Sequence, residues 1–182
     1  MHAVNSSPAE EQDTPRIYVA CLAAYNAGRL HGAWIDANQD PDDLHEAIQT
    51  MLARSPEPDA EEWAIHDYDS FGGIALQEGT SMDTVSELAA ALVEHGELFG
   101  AVYEQFHDID QAKTCMEDSY LGAWDSLEDW ATNFLEETGQ LEALPQHLQC
   151  YFDTQAFARD CELGGDVFTV HVNGSTHVFS NT

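Results

Sequence analysis

An excess of acidic residues constrains what this chain can fold into more than any other feature of its sequence. The 182 residues include 34 Asp and Glu but only 5 Lys and Arg, which gives a formal net charge of −29. Most of these carboxylates must stay in water, because burying an unpaired charge is very costly. Hydrophobic residues make up 43% of the chain and can supply a core. The composition therefore indicates a folded protein rather than an acidic disordered tail.

The same excess of acid limits the partners. Nucleic-acid phosphates and anionic lipids are bound through clustered Lys and Arg, whereas the basic residues of this chain are scattered along it. We therefore expect a basic protein partner, with no binding of nucleic acid or membrane. The apolar runs are too short to span a bilayer, and the first 15 residues lack a positively charged segment. The protein is predicted to be cytoplasmic.

The hydrophobic pattern predicts an N-terminal α+β domain over residues 15–76, after a disordered extension over residues 1–14. A helix is expected between the second and third strands, because apolar residues recur at helical spacing from Leu44 to Leu52. The predicted order is β-β-α-β. Strands are expected at three segments rich in β-branched and aromatic residues: Arg16–Leu22, Leu30–Ile35 and Trp63–Tyr68.

The remainder of the chain is predicted to form a central helical domain, residues 77–108, and a C-terminal α/β domain, residues 109–182. Ser126 is expected to cap the clearest helix, with Asp129 at capping-box spacing. The step Asn173-Gly174 lies between two β-rich runs and predicts a terminal β-hairpin. The predicted fold class is therefore α+β, in three small domains.

Motifs for catalysis and metal binding are incomplete. Residues 36–47 begin like a calcium loop, but Pro41 and Ala47 stand where that loop needs Gly and Glu. His171 and His177 flank the predicted hairpin and could face each other across it, although a surface pair is the commoner result. No nucleophile elbow or catalytic Cys signature occurs. We therefore predict no catalytic residue, no cofactor and no metal, and we do not expect an enzyme.

The acids are spread over predicted helices and strands. Between Asp36 and Asp69 there are 11 of them with a single basic residue, and between Glu104 and Glu137 there are 10 with a single basic residue. Such self-repulsion destabilises a compact state, which suggests that the charge has a use. Two uses are physically natural: imitation of nucleic acid and solvation at high salt. Composition does not separate them, since a mimic needs a charged stripe and a halophile needs only an even coating.

Several blocks, in order from Pro15 to Phe179, resemble the ArdA antirestriction family. The N-terminal block has the pattern Tyr25-Asn26-x-Gly28-x-Leu30-x-Gly32-x-Trp34. The other blocks that are similar to this family are Ile65–Tyr68 with Phe71-Gly72, Tyr120–Ala131, Tyr151–Asp160, Gly165-Asp166 and His177–Phe179. Together they cover nearly the whole chain, so the match is specific.

The resemblance implies a function. Proteins of this family are DNA mimics carried on conjugative plasmids and transposons. They occupy the DNA-binding groove of type I restriction-modification enzymes and block restriction, and often modification. They are elongated, curved homodimers of three domains, in which acidic side chains stand in for phosphates. The alternative is an acidic interaction module, or a halophile-adapted one, that binds another basic protein surface.

We expect many exposed acids to share the task of imitating phosphates, so that no single carboxylate decides the binding. These candidate acids are Asp40, Asp42, Asp43, Glu46, Glu61, Glu62, Glu104, Asp108, Asp110, Glu117, Asp118, Asp125, Glu128, Asp129, Glu136 and Glu137.

Overall fold

A computed structural model describes residues 14–181 of the chain. Apart from Thr14, the expected disordered extension lies outside the described residues. The fold is mixed α+β, as the sequence predicts. It divides into two compact units, the first ending at Gly96 and the second beginning at Glu97. The finer division into three domains, at residues 76 and 108, stays a prediction.

The first unit is a three-stranded antiparallel sheet with helices. Its elements are β1 (Arg16–Cys21), α1 (Leu22–Asn26), β2 (Gly32–Asp36), α2 (Pro41–Leu52), β3 (Trp63–Asp69) and α3 (Met82–His95). The strand order in the sheet is β2-β1-β3, so the first strand is central. The predicted three strands, with a helix between the second and the third, are confirmed, and the short helix α1, which the sequence does not predict, lies between the first two strands.

Alternation in the first half of β1 separates the core from the solvent face of this sheet, whereas Ala20 and Cys21 at its end are both buried. Ile17 and Val19 are fully buried, whereas Arg16 is exposed, because successive side chains of a strand point to opposite faces. Helix α2 covers the buried face with the fully buried Leu44 and Ile48. The helical spacing read from the sequence therefore marks the face that packs on the sheet.

The second unit contains helices and a second three-stranded antiparallel sheet. Its elements are α4 (Glu97–Phe106), α5 (Ile109–Asp118), β4 (Tyr120–Trp124), α6 (Leu127–Glu137), α7 (Gln146–Gln149), α8 (Thr154–Gly164), β5 (Val167–Val172) and β6 (Ser175–Ser180). The strand order in the sheet is β4-β6-β5. The predicted hairpin is confirmed, with Asn173 and Gly174 both at positive φ, 52° and 81°, as a type I′ turn requires.

Helix α6 begins where the sequence predicts and packs against α8 and the sheet. The Ser126 hydroxyl accepts a hydrogen bond from the backbone N–H of Asp129 at 3.1 Å, which satisfies one of the free donors of the first turn. Trp130 and Ala131 are buried in the same cluster as Val178 of β6. None of the helices in the part of the chain described here is long and apolar enough to cross a membrane.

Candidate acidic interface

The candidate acids lie on both units. In the first unit, one group marks the start of α2 and a pair directly precedes β3: Asp40, Asp42, Asp43 and Glu46, then Glu61 and Glu62. In the second unit, they lie on α4, α5 and α6 and on the residues that precede α5 and α6: Glu104, Asp108, Asp110, Glu117, Asp118, Asp125, Glu128, Asp129, Glu136 and Glu137.

All of the candidate acids are exposed. So is every other aspartate and glutamate between residues 14 and 181 except Glu57, which is half-buried. The physical reason is that a hydrated carboxylate loses solvation if it is buried, and this chain has too few cations to compensate. The described surface therefore keeps nearly all of its negative charge available to a partner.

The arginines neutralise little of this charge. Arg16 pairs with Asp69 at 2.8 Å and Arg29 pairs with Glu57 at 2.7 Å. Arg159 lies 3.6 Å from its neighbour Asp160. None of these three acids belongs to the candidate set, so none of these arginine ion pairs neutralises a candidate acid.

Helix α6 comes close to the charge density of one DNA strand. Its 11 residues extend about 16 Å, because an α-helix rises about 1.5 Å per residue. Four of them, Glu128, Asp129, Glu136 and Glu137, are exposed acids. That is about one carboxylate per 4 Å, compared with one phosphate per 3.4 Å or so along a single strand of duplex DNA.

Two of the candidate acids also stabilise helix N-termini. The carboxylate of Asp108 accepts a hydrogen bond from the backbone N–H of Gln111 at 2.8 Å and caps α5. The carboxylate of Asp129 accepts a hydrogen bond from the Ser126 hydroxyl at 2.6 Å in the first turn of α6. A carboxylate at a helix N-terminus is stabilised by the helix dipole. Neutralising either acid therefore acts on helix stability as well as on surface charge.

Concave regions occur on the first unit. A groove of about 450 Å³ lies between β2 and α2, and Asp43 and Glu46 line it together with Trp34, whose exposed fraction is 46%. A larger cavity of about 550 Å³ lies between α1, β3 and the segment that follows β3. This cavity leaves no local pattern in the sequence, because residues distant in the chain form it. The only sequence signal was that Tyr25 and Tyr68, which line it, belong to blocks that carry the family resemblance.

The two histidines near the hairpin do not face each other, so that expectation is wrong. His171 pairs with Thr176 in the sheet register and His177 pairs with Val170, which puts the two rings on opposite faces. Each ring makes its own hydrogen bond, His171 to the Thr176 hydroxyl at 3.2 Å and His177 to the Tyr120 hydroxyl at 2.9 Å. Burial lowers the pKa of His177 from its ordinary value. Among the described residues, no group of three or more His, Cys, Asp or Glu side chains is arranged to hold a metal ion.

Fold and surface together define an acidic, mixed α+β protein whose carboxylates are held at the surface of two small sheet-and-helix units. A family model described as antirestriction protein (ArdA) matches residues 17–174. That match covers most of the chain, so the protein belongs to the ArdA antirestriction family, and the resemblance read from the sequence is confirmed. No curated protein matches the chain.

Proposed function

We propose that this protein inhibits type I restriction-modification enzymes by occupying their DNA-binding groove in place of DNA. One observation carries the proposal: in a member of an antirestriction family, nearly every described carboxylate is exposed. A groove that binds duplex DNA presents Lys and Arg to phosphates. Those cations would meet the candidate acids instead. Carboxylates carry the same negative sign of charge as phosphates, so this contact would not depend on DNA sequence.

Inhibition follows from charge and from chemistry. Long-range attraction between a strongly acidic protein and a basic groove speeds their encounter, up to about 10⁸–10⁹ M⁻¹s⁻¹ at low salt. Carboxylates on a polypeptide offer no phosphodiester to cleave and no base to methylate. The enzyme therefore stays occupied without turning over, so restriction stops, and modification often stops with it. The inhibitor itself needs no catalytic residue.

The charge is large enough for an extended contact. At about one charge per 1.7 Å of duplex axis, a net charge of −29 matches at most about 50 Å of duplex, or about 15 base pairs. We propose that the protein acts as a homodimer, which doubles this span. We also propose that conjugative plasmids or transposons carry it and that it acts in the cytoplasm, where incoming unmodified DNA meets the host enzyme.

A plasmid protection assay in a salt series tests this function. Purified protein is added to a type I restriction enzyme with unmodified plasmid, and the uncut fraction is measured as salt increases. We expect protection at low salt that declines steeply as salt is added, because both partners of an ionic contact are screened. Polyglutamate at the same carboxylate concentration is the control for unspecific polyanion inhibition.

The possible outcomes separate the competing explanations. If the enzyme cuts the plasmid fully at low salt, the proposed function is wrong, and an acidic or halophile-adapted module with another basic partner becomes the better explanation. Protection that is unchanged at high salt would contradict the electrostatic mechanism while leaving inhibition intact. Equal protection by polyglutamate would mean that charge alone, without the fold, is sufficient.

A further inference from the structure

The cavity of about 550 Å³ in the first unit has walls that are both aromatic and acidic. Helix α1 contributes Tyr25, strand β3 contributes His66 and Tyr68, and the segment after β3 contributes Glu78. Imitation of phosphates needs only carboxylates, so it does not explain why aromatic side chains line this cavity. The ring of Tyr25 is not part of the core either, because its exposed fraction is 55%.

Backbone hydrogen bonds hold the walls of this cavity in place. The N–H of Ile65 in β3 donates to the carbonyl of Glu78 at 3.0 Å, which ties the following segment to the strand. The N–H of Leu22 donates to the carbonyl of Glu62 at 3.0 Å, which ties the start of α1 to the residue before β3. The cavity is therefore formed before any partner arrives, and a ligand would bind without the cost of ordering these segments.

The aromatic rings are oriented by contacts of their own. Tyr25 and His66 meet edge to face with their ring centroids 4.9 Å apart. Tyr68 packs edge to face on the buried Phe71, with the centroids 5.9 Å apart. Such edge-to-face pairs are favourable contacts in addition to the area they bury. They fix the rings in a wall that Glu78 also lines.

We propose that this cavity takes up an arginine side chain from the basic surface of the partner, an inference that rests on the proposed function. A guanidinium group stacks on aromatic rings and pairs with carboxylates, and it is more weakly hydrated than an ammonium group. Here Tyr25 and Tyr68 supply the rings and Glu78 supplies the carboxylate. The net charge of −29 attracts basic side chains towards the protein, and the lining of the cavity then favours arginine among them.

An NMR titration tests the cavity without any restriction enzyme. The isotope-labelled full chain is titrated with the peptide acetyl-Gly-Arg-Gly-amide, and separately with acetyl-Gly-Lys-Gly-amide. We expect the arginine peptide to shift the signals of the residues that line the cavity, more strongly than the lysine peptide does. In Tyr25→Ala these shifts are lost, whereas in Glu87→Gln they persist. Glu87 is an exposed acid on α3 and does not line the cavity.

Shifts that spread evenly over the acidic surface, or that are absent at the cavity, would overturn the inference. The spectrum outside the cavity reports whether each variant is folded. Glu78→Gln provides a second variant in which no aromatic ring is disturbed, and we expect the same loss of shifts. A response to arginine in Glu78→Gln and Tyr25→Ala that equals the response of the wild type would contradict the proposal.

Binding to the type I enzyme then connects the cavity to function. We expect Tyr25→Ala to bind roughly two- to thirtyfold more weakly, which is the range of a cation–π contact. Its salt dependence stays that of the wild type, because no charge is removed. Glu87→Gln removes one charge without touching the cavity and is the matched control for Glu78→Gln. If the wild-type protein does not bind the enzyme, the proposed function fails; if Tyr25→Ala binds as the wild type does, only the cavity inference fails.

Discussion

At position 32 the fold leaves no room for a side chain. A Cβ atom there would lie 2.5 Å from the Val19 carbonyl oxygen and 2.7 Å from the ring of Tyr18. We expect Gly32→Ala to lower the free energy of unfolding by about 1–3 kcal/mol, the usual cost of overpacking. Urea denaturation measures it. Gly79→Ala is the matched control, because nothing lies within 4 Å of the added methyl group; equal stability of the two variants would contradict the steric argument.

His177 makes stability depend on pH. Burial lowers its pKa, and its Nδ1 lies at hydrogen-bonding distance, 2.9 Å, from the Tyr120 hydroxyl. A histidine whose pKa is lower in the folded state takes up its proton more readily when unfolded. Stability from this residue is therefore present above the unfolded pKa of about 6.5 and is lost as pH falls below it.

Comparison with His177→Gln isolates this contribution. We expect the wild type to lose stability relative to the variant as pH decreases from about 7 to 5, because only the wild type has the histidine to protonate. Denaturant unfolding at several pH values measures the difference. If the difference in the free energy of unfolding between the two proteins stays constant with pH, the histidine has the same pKa in the folded and unfolded states.

At the scale of the element, helix α6 allows a test of whether several carboxylates contribute jointly to inhibition. Glu128, Glu136 and Glu137 are exposed, and in the proposed complex each would contribute one weak, solvent-screened contact. We expect each single change to Gln to weaken inhibition by roughly two- to fivefold, and the triple change by roughly ten- to hundredfold, since such effects add when sites are independent. The measurement is the concentration that gives half-maximal protection of plasmid from a type I enzyme.

The control for this series keeps the charge. A triple change of the same residues to Asp shortens the side chains but leaves three carboxylates, so inhibition should stay near that of the wild type. Asp129 is left out because its carboxylate also receives the Ser126 hydrogen bond in the first turn of α6. A single neutralisation such as Glu128→Gln that abolished inhibition in a folded protein would contradict the distributed mechanism.

The sequence predicts the elements that have a strong local pattern. It does not predict an element whose local pattern is weak and which depends on a neighbouring strand. Helix α2 follows from the spacing of Leu44 to Leu52, and the terminal hairpin follows from Asn173-Gly174. Strand β4, Tyr120–Trp124, was not predicted. It is five residues long and contains Gly122 at positive φ, which weakens local strand preference. It becomes a strand because β6 offers it hydrogen-bond partners.

At the scale of the whole molecule, the net charge of −29 works against folding. Self-repulsion destabilises the compact state, and few arginine pairs offset it. We expect the free energy of unfolding to rise as sodium chloride is added up to a few hundred millimolar, because the Debye length shortens from about 10 Å at 0.1 M towards 3 Å at 1 M. Stability that falls with added salt would contradict this balance.

The same salt range separates stability from binding. Screening should stabilise the fold but weaken the proposed contact with a basic groove, so we expect the two responses to have opposite signs. Sucrose, which favours the compact state without screening charge, is the control: it should raise stability and leave protection unchanged. A protein that folds only at molar salt would favour adaptation to high salt over mimicry.

The sequence by itself determined the α+β class, the family and the exposure of the acids. These follow from hydrophobic periodicity, from ordered motifs and from the cost of burying a charge, all of which are properties of the local chain. Tertiary structure alone decided which distant residues meet. It brought Tyr25, His66 and Glu78 around one cavity and paired β4 with β6. Packing between segments that are far apart in the chain sets such neighbours, and no short segment encodes it. The opposite faces of His171 and His177 follow instead from the two-residue turn, which fixes the register of the hairpin.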